Sequence, residues 1–377
     1  MTLRSLAAYG MVDGAGGWVA SSWLLGTLLL VAFAVLVWQA AENAELLELL
    51  GRWVGLAAGV AASASVLLFY VLLPGHVFGE RLMNAFVYGG WNAVSTGLTF
   101  GFAAMWLECL REKAASRRQR FMWTCAIVLL LLAVCFTRSR GALLALFCGH
   151  LALTWARGLR RTWLPWSLLI GVMTLFILTG PVVNRVAKWQ TDWRAVCDEM
   201  HEPVTSEWAH SPAPVTEMMH RGDSGRLDLY ERALQGLASP EDWIIGLGQW
   251  GPAESCCRSL SRLQFHFHSV FVATLLHGGF IGLTLVLVVL GIALRRAIAL
   301  ARHGEDTWLV LLVLGLGGVL FDGHTLTSIT SLPQFETLLV TFPAVAASAV
   351  WWHRHTRGSD VMRHAGGGAT DRRPAGV

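Results

Sequence analysis

Three short polar segments interrupt an otherwise apolar chain, and each carries side chains able to do chemistry. The first is Thr137-Arg138-Ser139-Arg140-Gly141, between two apolar runs. Two guanidiniums there can grip a phosphate or pyrophosphate in the bidentate manner that arginine favours. The competing account is snorkelling, in which an arginine at the end of a span reaches for water. The second segment is Arg221-Gly222-Asp223-Ser224-Gly225-Arg226. It reads either as a solvated turn leading into a helix or as a functional loop. For the latter stands Arg226, a cation in a first turn where the helix dipole disfavours one. The third is Phe265-His266-Phe267-His268-Ser269-Val270-Phe271, at the edge of an apolar run. An imidazole with an ordinary pKa of about 6.5 suits proton transfer near neutral pH, which makes His268 a candidate general base. Its rivals are a zinc site and plain interfacial histidines. Against zinc, His266, His268 and His277 lack the spacing of a tetrahedral site, and no acidic residue stands at a fixed offset. Asp322 and His324 can approach the same face from the last outer loop.

What must position these residues is a membrane-embedded helix bundle. Of the 377 residues, 54% are hydrophobic and only 14% charged, with mean hydropathy +0.52. A soluble domain carries roughly 25% charged residues. The apolar excess therefore has to face lipid. The net charge of +4 does not indicate nucleic acid, because the basic residues sit in short clusters between apolar runs. Apolar runs fall at about 18–38, 53–73, 85–107, 121–137, 139–156, 163–181, 268–296, 307–322 and 333–352. Each approaches or exceeds the ~17–25 residues that a bilayer requires. The fold class is an all-α polytopic integral membrane protein, with about nine transmembrane helices and one large periplasmic loop containing helices.

Orientation follows from arginine and lysine. Basic clusters lie at 111–120, at Arg157, Arg160 and Arg161, at Arg295, Arg296 and Arg302, and at Arg354, Arg357 and Arg363. Two apolar runs separate each cluster from the next, so all four share one side, which the positive-inside rule makes cytoplasmic. The same alternation puts Glu42–Glu48 inside and leaves Arg138 and Arg140 outside, against the usual bias. The chain thus divides into N-terminal membrane helices over 1–120, membrane helices with the first arginine motif over 121–181, a periplasmic loop over 182–267, C-terminal membrane helices over 268–357, and a disordered cytoplasmic tail over 358–377.

The loop carries eight basic and twelve acidic residues. Ser224 can cap a helix on which Leu227, Tyr230, Leu234 and Leu237 recur at helical spacing, with Pro240 as its stop. Gly246 and Gly248 then mark a turn. Cys109, Cys125, Cys135 and Cys148 read as packing residues. In an oxidising compartment Cys197 can pair with Cys256 or Cys257.

Taken in order, the three segments resemble the O-antigen ligase and O-antigen polymerase superfamily of bacterial envelope glycosyltransferases. The family's Ser-Arg-Gly before a helix of small apolar residues is similar to Ser139-Arg140-Gly141 and the residues to Leu146. Its Ser-Gly-Arg, followed by Pro and Gly-x-Gly, is similar to Ser224-Gly225-Arg226, Pro240 and Gly246-Leu247-Gly248. Its His-Asn-x-(Tyr/Phe), with a later Gly-x-x-Gly, is similar to His268-Ser269-Val270-Phe271 and Gly279-Phe280-Ile281-Gly282, with Ser269 in place of the usual Asn. The resemblance implies a metal-independent enzyme without cofactor in the bacterial inner membrane, its active site facing the periplasm. It implies transfer of glycan from undecaprenyl pyrophosphate to lipid A–core oligosaccharide, or to a second lipid-linked glycan in a polymerase. His268, Arg226 and Arg140 would be catalytic; Arg138, Arg221, His266 and Ser269 would bind substrate. A transporter of lipid-linked sugars is the alternative from another class. It would call for internal repeats and mid-membrane charges, whereas the charges here cluster at one surface.

Overall fold

The computed structural model describes residues 16–72, 76, 80–83, 92–197, 226–247, 269–321 and 335–366. Among these the regular structure is helical throughout. Every apolar run of the sequence forms a helix. These are α1 (Gly16–Ala40), α2 (Ala44–Leu67, extended by a π-helical turn at Leu68–Leu72), α3 (Ala93–Arg111), α4 (Arg117–Thr137), α5 (Arg140–Arg157), α6 (Leu159–Cys197), α9 (Val270–Arg302), α10 (Thr307–Phe321) and α11 (Phe335–Gly366), with α7 (Arg226–Gln235) and α8 (Pro240–Ile245) between α6 and α9. Five segments among the described residues are long and apolar enough to cross a membrane: Ala44–Leu72, Ala93–Arg111, Arg117–Thr137, Leu159–Gly180 and Val270–Arg302. The protein is thus a multi-pass membrane protein.

Helix α3 is the axis of the bundle. Of its most apolar stretch 89% is buried, against 11% for α9. Enclosure by protein rather than lipid lets α3 carry polar groups that a lipid-facing helix would not tolerate. Ser95, Thr96, Glu108 and Arg111 are all buried on it, and Arg111 Nη2 donates to Glu108 Oε1 at 2.7 Å. Lipid supplies no hydrophobic drive between helices, so close approach at small residues does the packing. A Cβ on Gly315 of α10 would stand 2.3 Å from the Leu339 carbonyl oxygen of α11, and one on Gly317 would stand 3.2 Å from Ala145 Cα of α5. Rings of Trp106, Trp308 and Phe342 join α3, α10 and α11, with centroids 5.1–6.3 Å apart.

The basic clusters meet at one end of the bundle. Lys113 Nζ donates to Glu48 at 2.7 Å, which brings the acidic stretch of α2 to the end of α3. Arg157, at the end of α5, pairs with Asp306 just before α10, and its Nη1 lies 3.1 Å from Glu112. Arg354 of α11 pairs with Glu305. Burial alone would pull the Arg157 guanidinium down, but the Asp306 carboxylate more than offsets this and holds it above its ordinary value.

The elements differ from the sequence expectation in four places. Helix α6 does not stop at residue 181 but runs to Cys197, so the first part of the 182–267 loop is helical. Helix α11 runs to Gly366, through the first part of the segment expected to be a disordered tail. In both cases a helix already nucleated adds residues at small cost. Pro240 opens a helix rather than closing one: its missing N–H is harmless at the first helical position, and Ser239 and Asp242 form a capping box around it. Helix α9 is kinked at Gly279 (φ 62°, ψ −164°). Cys109, Cys125, Cys135 and Cys148 are free thiols. The pairing expected of Cys197 involves Cys256 or Cys257, which lie outside the described residues.

The close contacts give a stability test. Gly315→Ala must push backbone against backbone and should cost about 1–3 kcal/mol, read as a lower Tm in detergent. Gly171→Ala, with nothing within 4 Å of the added Cβ, should be neutral or should stabilise α6 by up to ~1 kcal/mol. Equal effects at the two sites would contradict the packing described.

Candidate functional site

Each membrane helix that starts or ends at the basic end has its other terminus at the opposite end. There lie the Thr137–Arg140 elbow between α4 and α5, the π-helical turn of α2 and the start of α9. The elbow is built from conflicting local signals. Arg138 closes α4 in the left-handed conformation (φ 49°, ψ 32°), a place usually taken by glycine. It is the one non-glycine with positive φ among the described residues, and it is 9% exposed. Ser139 then caps α5, its hydroxyl accepting from Ala142 N at 3.2 Å. Thr137 is fully buried and its hydroxyl donates to the Val134 carbonyl at 2.6 Å. Gly97 makes room for it: a Cβ there would stand 2.8 Å from Thr137 Oγ1 and 2.7 Å from Ala142 Cβ. Arg140 is the first residue of α5 and is exposed. A left-handed arginine costs roughly 1–2 kcal/mol. Strain of this kind persists where surrounding contacts enforce it, and it gathers at functional sites.

A strap not foreseen from sequence lies against the elbow. Leu82 N donates to the Phe136 carbonyl at 2.9 Å, and Arg81 Nε donates to the Thr137 carbonyl at 3.2 Å. The buried Tyr70 hydroxyl donates to the Glu80 carbonyl at 2.7 Å, and His76 Nδ1 lies 2.8 Å from Glu80 Oε2. Gln190, on the part of α6 beyond the membrane span, donates to the Tyr70 carbonyl at 2.8 Å. Tyr70 also feels the charge of Arg138. The sequence signal for Arg81 was the one that singled out Arg138: a positive charge on the side where membrane proteins carry few.

The second and third polar segments are joined through backbone. Gly246 (φ 75°) closes α8, and Gly279 makes the kink of α9. A Cβ on Gly246 would stand 2.5 Å from Gly279 N, and one on Gly279 would stand 2.3 Å from the Ile244 carbonyl oxygen. Leu247 N donates to the Leu276 carbonyl at 2.8 Å. Around this junction Ala233, Leu237, Leu247 and Leu276 are buried together, and Trp243 stacks on Phe280 at 5.7 Å. The helix opened by Arg226 is thereby fastened to the first turns of α9, which Ser269 caps from a buried position.

The structure therefore places the elbow with Arg138 and Arg140 at the same end of the bundle as Ser269, with α7 and α8 fastened to the first turns of α9. Arg221, His266, His268, Asp322 and His324 lie outside the described residues.

A family model described as O-antigen ligase matches residues 125–287, from the first turns of α4 through the kink of α9. This segment is similar to the O-antigen ligase family. The match spans the elbow, both loop helices and the Gly246–Gly279 junction. Among curated proteins none matches the chain. One chain of a solved peptidoglycan synthase complex is similar at 15% identity and a TM-score of 0.40, over 88% of this chain and 90% of that one.

The strain at Arg138 is open to direct measurement. Arg138→Ala and Arg138→Gly both remove the guanidinium, but only glycine relieves the backbone. The glycine variant should be the more stable by about 1 kcal/mol, seen as a higher Tm in detergent. At the junction, Gly246→Ala should free α7 and α8 from α9, read as faster proteolysis between residues 226 and 247. Unchanged protection there would contradict the close contact.

Proposed function

We propose that the protein is an O-antigen ligase of lipopolysaccharide biosynthesis, transferring glycan from undecaprenyl pyrophosphate to the lipid A–core oligosaccharide. The observation that carries this reading is the buried, strained Arg138 beside Arg140, within the segment that matches the O-antigen ligase family. In this reading the elbow end of the bundle faces the periplasm and the basic end lies in the cytoplasm of the inner-membrane cell, as the positive-inside rule orients it.

The acceptor hydroxyl oxygen attacks the anomeric carbon of the donor. The bond from that carbon to the pyrophosphate oxygen breaks, and the configuration inverts. The hydroxyl proton passes to His268, the general base. Negative charge grows on the departing pyrophosphate, and in this reading Arg140 and Arg226 neutralise it, with Arg138 contributing from its buried position. Arg221, His266 and Ser269 hold the donor and the acceptor sugar. The donor is already activated, so the step needs neither nucleotide, metal nor other cofactor. Ser269 keeps a hydroxyl able to donate and accept where the family usually has an amide.

The test is purified protein with undecaprenyl-pyrophosphate glycan and lipid A–core, chelator present, products resolved on a gel. Wild type should transfer glycan to the core. His268→Ala should lower the rate by about 10²–10⁴-fold, and Arg140→Ala by about 10²–10³-fold. Longer lipid-linked chains without transfer to the core would instead identify an O-antigen polymerase. Movement of lipid-linked glycan across the bilayer with no new glycosidic bond would identify a transporter. Full activity in His268→Ala would remove the proposed base.

A further inference from the structure

At the basic end, away from the elbow, a cleft of about 430 Å³ opens between the end of α3, the first turn of α4 and the start of α6. It is lined by Arg111, Glu112, Arg120, Arg161, Trp163 and Leu164. Two of its charges are committed inward. Arg111 is held by Glu108, and Glu112 is turned to Arg157. Arg120 and Arg161 are exposed, and no ion pair or side-chain hydrogen bond engages either guanidinium among the described residues. The cleft therefore presents two uncommitted positive charges. The helix dipole disfavours a cation in a first turn, so helix stability does not account for their positions.

Both arginines stand on fixed backbone. The Ser116 hydroxyl accepts from Gln119 N at 3.1 Å and Gln119 Oε1 accepts from Ala115 N at 3.1 Å, which locks the first turn of α4. On α6, fully buried Thr162 lies between Arg161 and Trp163, and its hydroxyl bonds Thr154 of α5 at 3.2 Å. Trp166 Nε1 donates to the same Thr154 hydroxyl at 2.8 Å. Beyond the arginines the lining turns apolar. It consists there of Leu164 and of Trp163, which is 63% exposed within the span Leu159–Gly180; next to the cleft Phe121, one residue past Arg120, is 69% exposed. A tryptophan at the head of a span marks the level of lipid head groups. The cleft thus offers cationic groups at head-group depth and bare apolar surface on the acyl side.

We propose that this cleft is a binding site for an anionic phospholipid of the leaflet at the basic end, its phosphate held between Arg120 and Arg161 and its glycerol and upper acyl chain lying on Trp163 and Phe121. A basic pocket between membrane helices is a recurring form of such recognition. The zwitterionic phospholipids of the same leaflet bring an ammonium along with the phosphate and gain less from two guanidiniums. The site is independent of the transferase reading, because it lies at the other end of the bundle.

The experiment is native mass spectrometry of the full chain in mild detergent, titrated with phosphatidylglycerol or cardiolipin and, separately, with phosphatidylethanolamine. Wild type should retain the anionic lipids in preference. Arg120→Gln/Arg161→Gln should weaken that retention roughly thirty-fold, for two arginines worth about 1 kcal/mol each at an anionic surface. Arg295→Gln/Arg302→Gln removes the same charge from the same end outside the cleft and should leave retention within about two-fold. As a second readout, anionic lipid should raise the Tm of wild type and not that of the Arg120/Arg161 variant. Equal losses in the two double variants would reduce the site to general surface attraction. No preference over phosphatidylethanolamine in wild type would overturn the proposal outright.

Discussion

The buried pairing of Arg157 with Asp306 is the interaction on which the geometry of the other end depends. It joins the last residue of α5 to the residue before α10, and Arg157 Nη2 also reaches the Cys109 carbonyl of α3 at 3.4 Å. Asp306 is 6% exposed and the Arg157 side chain is largely covered, so water compensates little for a lost partner. A buried charge stripped of its partner costs about 3–5 kcal/mol, so α3, α5 and α10 are held in one axial register. Helix α5 has 18 residues, a rod of roughly 27 Å at 1.5 Å per residue. Fixing Arg157 at one tip fixes Arg140 at the other. The close contacts along the rod, Gly101 on Leu146 and Gly317 on Ala145, leave it no room to slide.

The two ends of the bundle are accordingly built in opposite ways. At the basic end arginines lie in the last turns of α3 and α5, carboxylates answer them, and chain reversals fall at Gly158 and Gly304, both at positive φ. At the elbow end the preferences are broken one after another. An arginine takes a glycine conformation, and α2 loosens into a π-helical turn at Leu68–Leu72. Each departure costs stability locally. They converge within the family-matched segment and on the strap that packs against it. This is the distribution expected when a rigid half supports a strained half that has work to do.

Sequence reading followed this division. Helix positions were legible throughout, because a run of apolar residues long enough to span must satisfy its own backbone. The shared side of the basic clusters was legible too, and the Lys113–Glu48 and Arg354–Glu305 pairs show how tightly they gather. What escaped was set by tertiary contact. Nothing local tells Gly180-Pro181 to continue a helix to Cys197, and it is Gln190 meeting Tyr70 that gives this extension a function in the fold. The strap at Glu80–Leu82 has no periodicity to detect, since its order comes from bonds to Phe136 and Thr137, over fifty residues on. The kink in α9 was hidden for a different reason. Gly278-Gly279 in an apolar run reads as ordinary small-residue packing until Ile244 and Gly246 are seen against it.

That junction changes the meaning of the glycine motifs. Gly246 and Gly279 lie 33 positions apart, and neither admits a Cβ because each faces the other's backbone. Read separately, one looks like a turn signal and the other like a helix-packing residue. Together they are two halves of one contact that fastens the helical pair α7–α8 onto a membrane helix. The pair carries Arg226 at its start and α9 carries Ser269 at its N-cap, so the backbone contact and the small apolar cluster around it set the relation between those two segments. The elbow is placed by a different device, the ion-paired rod of α5. Two independent constraints thus converge on one end of the bundle: a rigid one behind Arg138 and Arg140, and a backbone-to-backbone one behind Arg226 and Ser269.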